Sequence, residues 1–205
     1  MPNRRRWSGL RVSIARVLRG PLVDRGFGLI YDVERDMTWL QDANYARTVG
    51  RSSDGQMTWQ EATRWVASLD ILGVRGWRLP TALNRDGTGP CVGWGCRFSE
   101  FGHLVYGPWS SHPGQVSYRN FDASTIYWTS TEATADEAYG FFFFTMRQGT
   151  VPKNPFRNGS IDDIGKPLVP VLTWLVHDGD VADILPMWRF RIRQLQVRLL
   201  IDRSD

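Results

Sequence analysis

The apolar and polar positions of residues 27–40 fall into short blocks. Apolar residues occupy 29–31 and 37–40, and the polar segment 34–36 lies between them. Two short apolar runs on either side of a polar turn are typical of a β-hairpin. We therefore predict strand, turn and strand over this stretch.

A helical period follows, with apolar residues three and four positions apart. Thr58 precedes this pattern as an N-cap, and Glu61 stands at the third helical position, as in a capping box. Gly73 follows it and predicts the C-terminal end of the helix. The pattern predicts a helix over roughly 59–72 whose apolar face consists of Trp59, Ala62, Trp65, Val66 and Leu69.

The second half of the chain contains short apolar segments separated by polar ones. We predict a second short helix over 99–106, capped by Ser99, and strands over 127–131, 139–146 and 169–176. The run Phe141 to Phe144 lacks alternation, which indicates a strand covered on both faces. Long loops rich in turn-forming residues are expected over 84–97, 107–125 and 152–167. This arrangement predicts an α+β fold.

Charge distribution narrows the classes of function. Residues 1–25 carry seven Arg and one Asp (+6), and residues 184–205 carry five Arg and two Asp (+3). The segment between them holds 13 basic and 18 acidic residues, a net charge of −5. An acidic body argues against binding to nucleic acid, so we expect no nucleic-acid partner for it.

The same distribution predicts three parts, a basic extension over 1–26, a body over 27–183 and an Arg-rich tail over 184–205. The tail fits either an edge strand or an amphipathic helix, and the basic ends suggest docking to an anionic membrane or nucleic acid. No run of 18 apolar residues is present, so no membrane-spanning helix is expected. The N-terminal arginines resemble the start of an export signal, but further arginines interrupt the apolar stretch behind them. Export and a cytoplasmic location therefore both stay open.

Two cysteines, Cys91 and Cys96, lie five positions apart with Gly93 and Gly95 between them. Such a flexible loop closes a disulfide that contributes about 2 kcal/mol. A metal site is disfavoured because zinc sites use closer cysteines together with further ligands, and none of the three His has ligand spacing. Free thiols are the alternative in a cytosolic protein.

Several motifs occur in an order that resembles one family. The most specific are Gly76-Trp77-Arg78-Leu79-Pro80-Thr81 and Tyr127-Trp128-Thr129-Ser130-Thr131-Glu132. Over roughly residues 27–182 the chain resembles the Lcl C-terminal domain family, named after a bacterial collagen-like adhesin. The resemblance implies a C-type-lectin-like fold, related to that of formylglycine-generating enzymes, with two short helices, small antiparallel sheets and long irregular loops. It also implies an extracellular or cell-surface location and an adhesin-like, oligomer-forming protein that binds glycosaminoglycans.

We assign the motif residues to structure rather than to ligand binding. Trp77 and Leu79 are expected to point inward, and Arg78 between them to form a buried or half-buried ion pair. Tryptophan packs, while neighbouring hydroxyls bond backbone groups in tight loops. The structural residues are Trp39, Trp77, Arg78, Pro80, Trp128, Ser130 and Glu132.

Ligand contacts are expected in the polar loops instead, where exposed aromatic rings can stack on sugars. The candidate residues are Trp94, Trp109, Tyr118, Asn120, Arg157 and Asn158. The resulting hypothesis is a non-catalytic binding domain for glycans or glycosaminoglycans. The alternative is a protein–protein interaction module with diversified loops, since a rigid scaffold tolerates loop variation.

An enzyme of the formylglycine-generating type is a remote alternative, because no cysteine follows Cys96. Glu100 and His103 lie three apart on the second helix, but a structural hydrogen bond of the histidine is favoured over general acid–base chemistry. We expect no cofactor. The acidic clusters around Asp32, Asp162 and Asp178 are expected to be solvated, and structural calcium in the loops 84–89 and 158–163 is the alternative.

Overall fold

A computed structural model describes residues 20–156 and 170–185. The candidate residues Arg157 and Asn158, the acidic pair Asp162 and Asp163, most of the basic extension and nearly all of the Arg-rich tail lie outside these ranges. The helices are α1 (Tyr45–Thr48), α2 (Trp59–Ala67) and α3 (Glu100–Leu104), the last continued by a π-helical turn, Val105–Trp109. The strands are β1 (Leu22–Gly26), β2 (Leu29–Asp32), β3 (Met37–Leu40), β4 (Gly93–Trp94), β5 (Ile126–Glu132), β6 (Glu137–Phe142), β7 (Arg147–Pro152), β8 (Val171–Leu172) and β9 (Val176–Asp178).

The strands form two sheets. One has four strands in the order β1-β2-β3-β9, and the other has five in the order β4-β7-β6-β5-β8. All pairs are antiparallel except β5 with β8. Short helices with mostly antiparallel sheets confirm a mixed α+β architecture. Within the described ranges, no helix has the length and apolar character needed to cross a bilayer.

The predicted hairpin is confirmed as β2 and β3, but the sheet begins earlier than expected. Asp32 ends β2, and its Oδ1 accepts hydrogen bonds from the backbone N–H groups of Glu34 (3.0 Å) and Arg35 (3.1 Å), which forms the turn. Strand β1 pairs with β2 although residues 1–26 were assigned to an extension. At the other end Leu185, beyond the boundary predicted at 183, is buried in the core. Both boundaries therefore fall inside the folded body.

Helix α2 begins as predicted and ends early. Thr58 Oγ1 accepts from the Glu61 N–H (3.3 Å), and Glu61 Oε2 accepts from the Thr58 N–H (3.0 Å). The helix ends at Ala67, so both the predicted end at 72 and the stop at Gly73 are wrong. Leu72 and Gly73 have positive φ in a turn that pairs Ile71 with Val74. The apolar spacing extends past the helix because this turn also packs on the core.

The single strand predicted over 139–146 is two strands. β6 ends at Phe142, residues 143–146 form a turn, and β7 returns along β6 with Gly140 opposite Gly149. Phe141 and Phe142 are both buried, as the absence of alternation indicated, but Phe144 is exposed on the turn. The strand predicted over 169–176 is likewise divided between β8 and β9, which belong to different sheets.

Three fully buried tryptophans organise the core. Trp128 donates its indole N–H to the Met57 carbonyl (2.9 Å), and Trp174 donates to the Leu40 carbonyl (2.7 Å). Trp39 packs on Trp174 with ring centroids 5.2 Å apart. Large rings supply the buried area that such short helices and strands lack. Trp39 and Trp128, which were assigned to structure from the sequence, are both fully buried.

We predict that Thr58→Ala lowers the free energy of unfolding by about 1 kcal/mol, because it removes the N-cap acceptor of α2. Urea unfolding of the full chain measures the change. Gln60→Ala, an exposed change in the first turn, is the matched control and is expected to stay within about 0.5 kcal/mol of wild type. Equal effects of the two substitutions would contradict a stabilising cap.

Candidate functional site

Arg78 is half-buried and connects three segments of the chain. Its guanidinium donates two hydrogen bonds to Glu100 of α3, to Oε2 at 2.8 Å and to Oε1 at 2.7 Å. It also donates to Asp178 Oδ1 at 2.5 Å, and its backbone pairs with Val176 of β9. The bond from Arg78 lowers the pKa of Asp178. The predicted half-buried ion pair is confirmed, and it has two carboxylate partners.

The other motif residues also hold the chain in place. Trp77 and Leu79 point inward as predicted, and both are buried. The Ser130 N–H donates to the Pro80 carbonyl (2.8 Å), which attaches the 76–81 segment to β5. Glu132 forms an ion pair with the buried Lys153.

His103 does not pair with Glu100. Its Nε2 lies 3.1 Å from Oδ2 of the fully buried Asp32 and 3.9 Å from Oε2 of Glu34. A cleft of about 360 Å³ opens there, lined by His103, Val33, Glu34, Arg35 and Arg85. The separation of His103 Nε2 from Asp32 Oδ2 is an ion-pair distance, but within the described residues neither atom makes a hydrogen bond, so the structural hydrogen bond predicted for this histidine is not seen. Among the described residues, no cluster of three or more His, Cys, Asp or Glu side chains has an arrangement that could hold a metal ion.

Cys91 and Cys96 form a disulfide with their Cα atoms 5.5 Å apart, as the spacing predicted. Strand β4 lies between them and pairs with β7, with Trp94 opposite Arg147. The buried Gln148 donates from Nε2 to the carbonyls of Cys91 (2.7 Å) and Ala82 (3.0 Å). A covalent bond, a strand pair and a buried amide thus fix this loop.

Trp94 stands at the tip of that loop with 68% of its surface exposed. The Arg147 guanidinium lies 5.9 Å from the Trp94 ring centroid and 5.0 Å from that of the buried Phe142. Tyr106 accepts from the Gly95 N–H (3.2 Å) and donates to the Met146 carbonyl (2.7 Å), so α3 and the β6–β7 turn meet the loop here. We call the exposed apolar residues of this region, Val92, Trp94, Phe98 and Met146, the Trp94 surface.

The prediction that Trp109 and Tyr118 are exposed is wrong. Both are half-buried against the Trp174 cluster, with ring centroids 6.3 Å and 4.8 Å from Trp174. Burial raises the pKa of Tyr118 well above its ordinary value. The polar composition of the 107–125 loop concealed the fact that its aromatic side chains turn back into the core.

Asn120 lies apart from the Trp94 surface, at the rim of a cavity of about 350 Å³. Its backbone has a φ of 52°, and its Nδ2 donates to Asp42 Oδ1 (3.0 Å) and Thr48 Oγ1 (3.2 Å). Other polar residues lining the cavity are Asn44, Arg47, Asp54, Gln56, Asp122 and Thr125. None of these was singled out from the sequence, because they come from helix α1 and from separate loops that only the fold brings together.

The structure therefore divides the candidate ligand residues. Trp94 is exposed on the disulfide loop, Asn120 belongs to a separate cavity, and Trp109 and Tyr118 are part of the packing. Comparison of the chain with protein-family models, curated proteins and solved structures gives no match in any of the three.

We predict that Arg78→Met lowers the free energy of unfolding by about 3 kcal/mol, because it leaves the Glu100 carboxylate buried without its partner. Chemical denaturation measures the loss. The control is Arg75→Ala, which breaks the exposed Arg75–Asp70 pair and is expected to cost less than about 1 kcal/mol. A loss for Arg78→Met no larger than the control's would refute the structural role of this ion pair.

Replacing both cysteines by serine is expected to lower the free energy of unfolding by about 2 kcal/mol, because the open loop gains entropy in the unfolded chain. Denaturation with and without reductant tests this directly. Reductant should destabilise the wild-type protein by a similar amount and leave the double variant unchanged. A wild-type protein that is insensitive to reductant during denaturation would contradict the prediction.

Proposed function

We propose that this chain is a non-catalytic, lectin-like domain that binds glycans through the Trp94 surface. The resemblance to the Lcl C-terminal domain family motivates the ligand class. The observation that carries the proposal is the exposure of Trp94 on a loop held by a disulfide, a strand pair and Gln148.

Rigid support matters because a binding ring that is already ordered loses little entropy on association. Tryptophan is also the side chain that most often dominates binding energy at protein surfaces. The indole of Trp94 offers an apolar face for the C–H groups of a sugar ring. Arg97, whose guanidinium lies 5.0 Å from the Tyr106 ring centroid, supplies an exposed hydrogen-bond donor beside it.

A non-catalytic role is supported by the partners of the groups that could perform chemistry. Glu100 is engaged by Arg78, and Lys153 pairs with Glu132. Both cysteines are consumed in the disulfide, which leaves no thiol for chemistry of the formylglycine-generating type. The disulfide also favours an extracytoplasmic location, since such bonds persist in oxidising compartments.

A protein ligand is the second candidate, and the composition of the Trp94 surface favours it. Val92, Phe98 and Met146 are further exposed apolar residues of this region, and Phe98 is 69% exposed. Apolar surfaces of this kind commonly mark protein–protein contact sites. In that case the same loop would bind a protein partner, and differences in loop sequence would determine which protein binds.

Trp94→Ala tests the proposal on a glycan array and a glycosaminoglycan column. We expect the wild-type chain to be retained by at least one glycan class and the variant to lose about tenfold or more in affinity. The matched control is Phe27→Ala, which removes another exposed aromatic ring. Phe27 lies at the opposite end of β2 from the turn that contacts the Phe98 carbonyl through Arg35.

Absence of retention on every glycan would reject carbohydrate recognition. Trp94-dependent capture of a specific protein, without glycan retention, would instead support the second candidate. Equal losses for Trp94→Ala and Phe27→Ala would show that the effect is not local to the disulfide loop.

A further inference from the structure

We propose that the cavity beside Asn120 is a second binding site, which takes one neutral sugar ring. This inference rests on the proposed glycan recognition and extends it to a site away from Trp94. We call this feature the Asn120 cavity. Its volume of about 350 Å³ lies at the lower end of the range of about 300–1,000 Å³ that is usual for small-molecule sites.

Polar residues from three parts of the chain line the cavity. They are Arg47 of α1, Asp54 and Gln56 of the following loop, and Asn120 and Asp122. Phe121, Pro170 and Leu172 provide an apolar side. A sugar ring needs this combination, because it carries hydroxyls around its edge and C–H groups on its faces.

The Asn120 side chain is held in one orientation. Asp42 accepts from Asn120 Nδ2 and from the Asn44 N–H through Oδ1, and from the Thr48 hydroxyl through Oδ2. With its Nδ2 engaged by Asp42 and Thr48, Asn120 keeps its Oδ1 as an acceptor for a ligand hydroxyl. Phe121 beside it is supported from behind by Trp109, at a centroid distance of 4.8 Å.

The wall formed by Asp54 and Gln56 is also ordered. The buried Asn44 donates from Nδ2 to the Asp54 carbonyl (3.2 Å), and the Asn44 Oδ1 packs against Gly55. Asp54 accepts from the Gln56 N–H (2.9 Å), and this bond lowers the pKa of Asp54. The wall therefore keeps its shape and its negative charge at neutral pH.

Arg47 and Asp122 supply a donor and an acceptor for direct contact. Arg47 is exposed, and within the described residues its guanidinium makes no hydrogen bond or ion pair. Asp122 uses Oδ1 for the Ser124 N–H (2.8 Å) and hydroxyl (2.6 Å), which leaves Oδ2 for a ligand. Sugar hydroxyls both donate and accept, so a bound sugar can use the Arg47 donor and the Asp122 acceptor.

The charge balance selects the class of sugar. Two carboxylates, Asp54 and Asp122, face a single cation, Arg47. A carboxylated or sulphated sugar would place like charges close together, which is unfavourable in a partly enclosed site. The Asn120 cavity therefore favours neutral hexopyranosides over acidic sugars.

The test is a titration of the full isotope-labelled chain by NMR. The probes are the methyl glycosides of glucose, galactose, mannose and N-acetylglucosamine, with methyl glucuronoside as the acidic probe, each in calcium buffer and in EDTA. At least one neutral glycoside should shift cavity resonances in both buffers, and the glucuronoside should bind more weakly. Arg47→Ala and Asn120→Gly should each weaken the binding by about tenfold, since each removes a hydrogen bond to the sugar.

Asn120→Gly is chosen because glycine accepts the positive φ of this position without strain. Arg51→Ala, a nearby exposed arginine outside the cavity lining, is the matched control and should bind like wild type. The spectra of the variants report whether each one is folded.

Four results would overturn the proposal. These are no cavity shift with any neutral glycoside, stronger binding of the glucuronoside, loss of binding in EDTA, or wild-type affinity in both cavity variants. If any of these results occurs while glycan-array retention still depends on Trp94, the proposed function stands. Only the role of the Asn120 cavity as a binding site is then rejected. Loss of all glycan binding in both assays would reject both.

Discussion

The two hydrogen bonds from Arg78 to Glu100 join segments that no regular element connects. Arg78 belongs to the 76–81 segment, Glu100 opens helix α3, and Asp178 ends β9 in the four-stranded sheet. Helix α3 follows the disulfide loop directly, so the position of its first turn also sets where that loop begins. The Arg78 guanidinium thus fixes the start of α3 relative to β9. The positions of β4 and of the Trp94 surface depend on this contact in turn, because the disulfide loop leads directly into α3.

Aromatic packing also fixes the relative positions of several elements. Trp174 contacts rings from β3, from α3 and from the loop after it, through Trp39, Phe101 and Phe121. This cluster supports the back of the Asn120 cavity. The cavity therefore has an ordered side even though most of its lining residues come from irregular segments.

Local patterns predicted the elements that depend on local chemistry. The β2–β3 hairpin, the Thr58–Glu61 capping box and the Ser99 cap all arise from residues within a few positions of one another. The disulfide was likewise predicted from spacing alone. The Arg78 ion pair was anticipated from its apolar neighbours, but its partners, 22 and 100 positions away, were not.

The errors have a common origin in long-range packing. Apolar residues after Ala67 continue the helical spacing, yet they contact the core from a turn. The Phe141–Phe144 run conceals a strand end, because β6 ends at Phe142 while Phe143, the first residue of the turn, is still buried and only Phe144 is exposed. Trp109 and Tyr118 occupy a polar loop but pack inward, and the cavity residues meet only after the loops fold.

Gln148 affects which substitutions the disulfide loop can tolerate. It holds the start of the disulfide loop through the main-chain oxygen of Cys91 and joins it to the carbonyl of Ala82, so these bonds do not depend on the side chains that the loop displays. Side chains at the tip between the cysteines can therefore be substituted while the hydrogen bonds from Gln148 stay in place. Sequence variation at the tip is thus compatible with an unchanged framework beneath it.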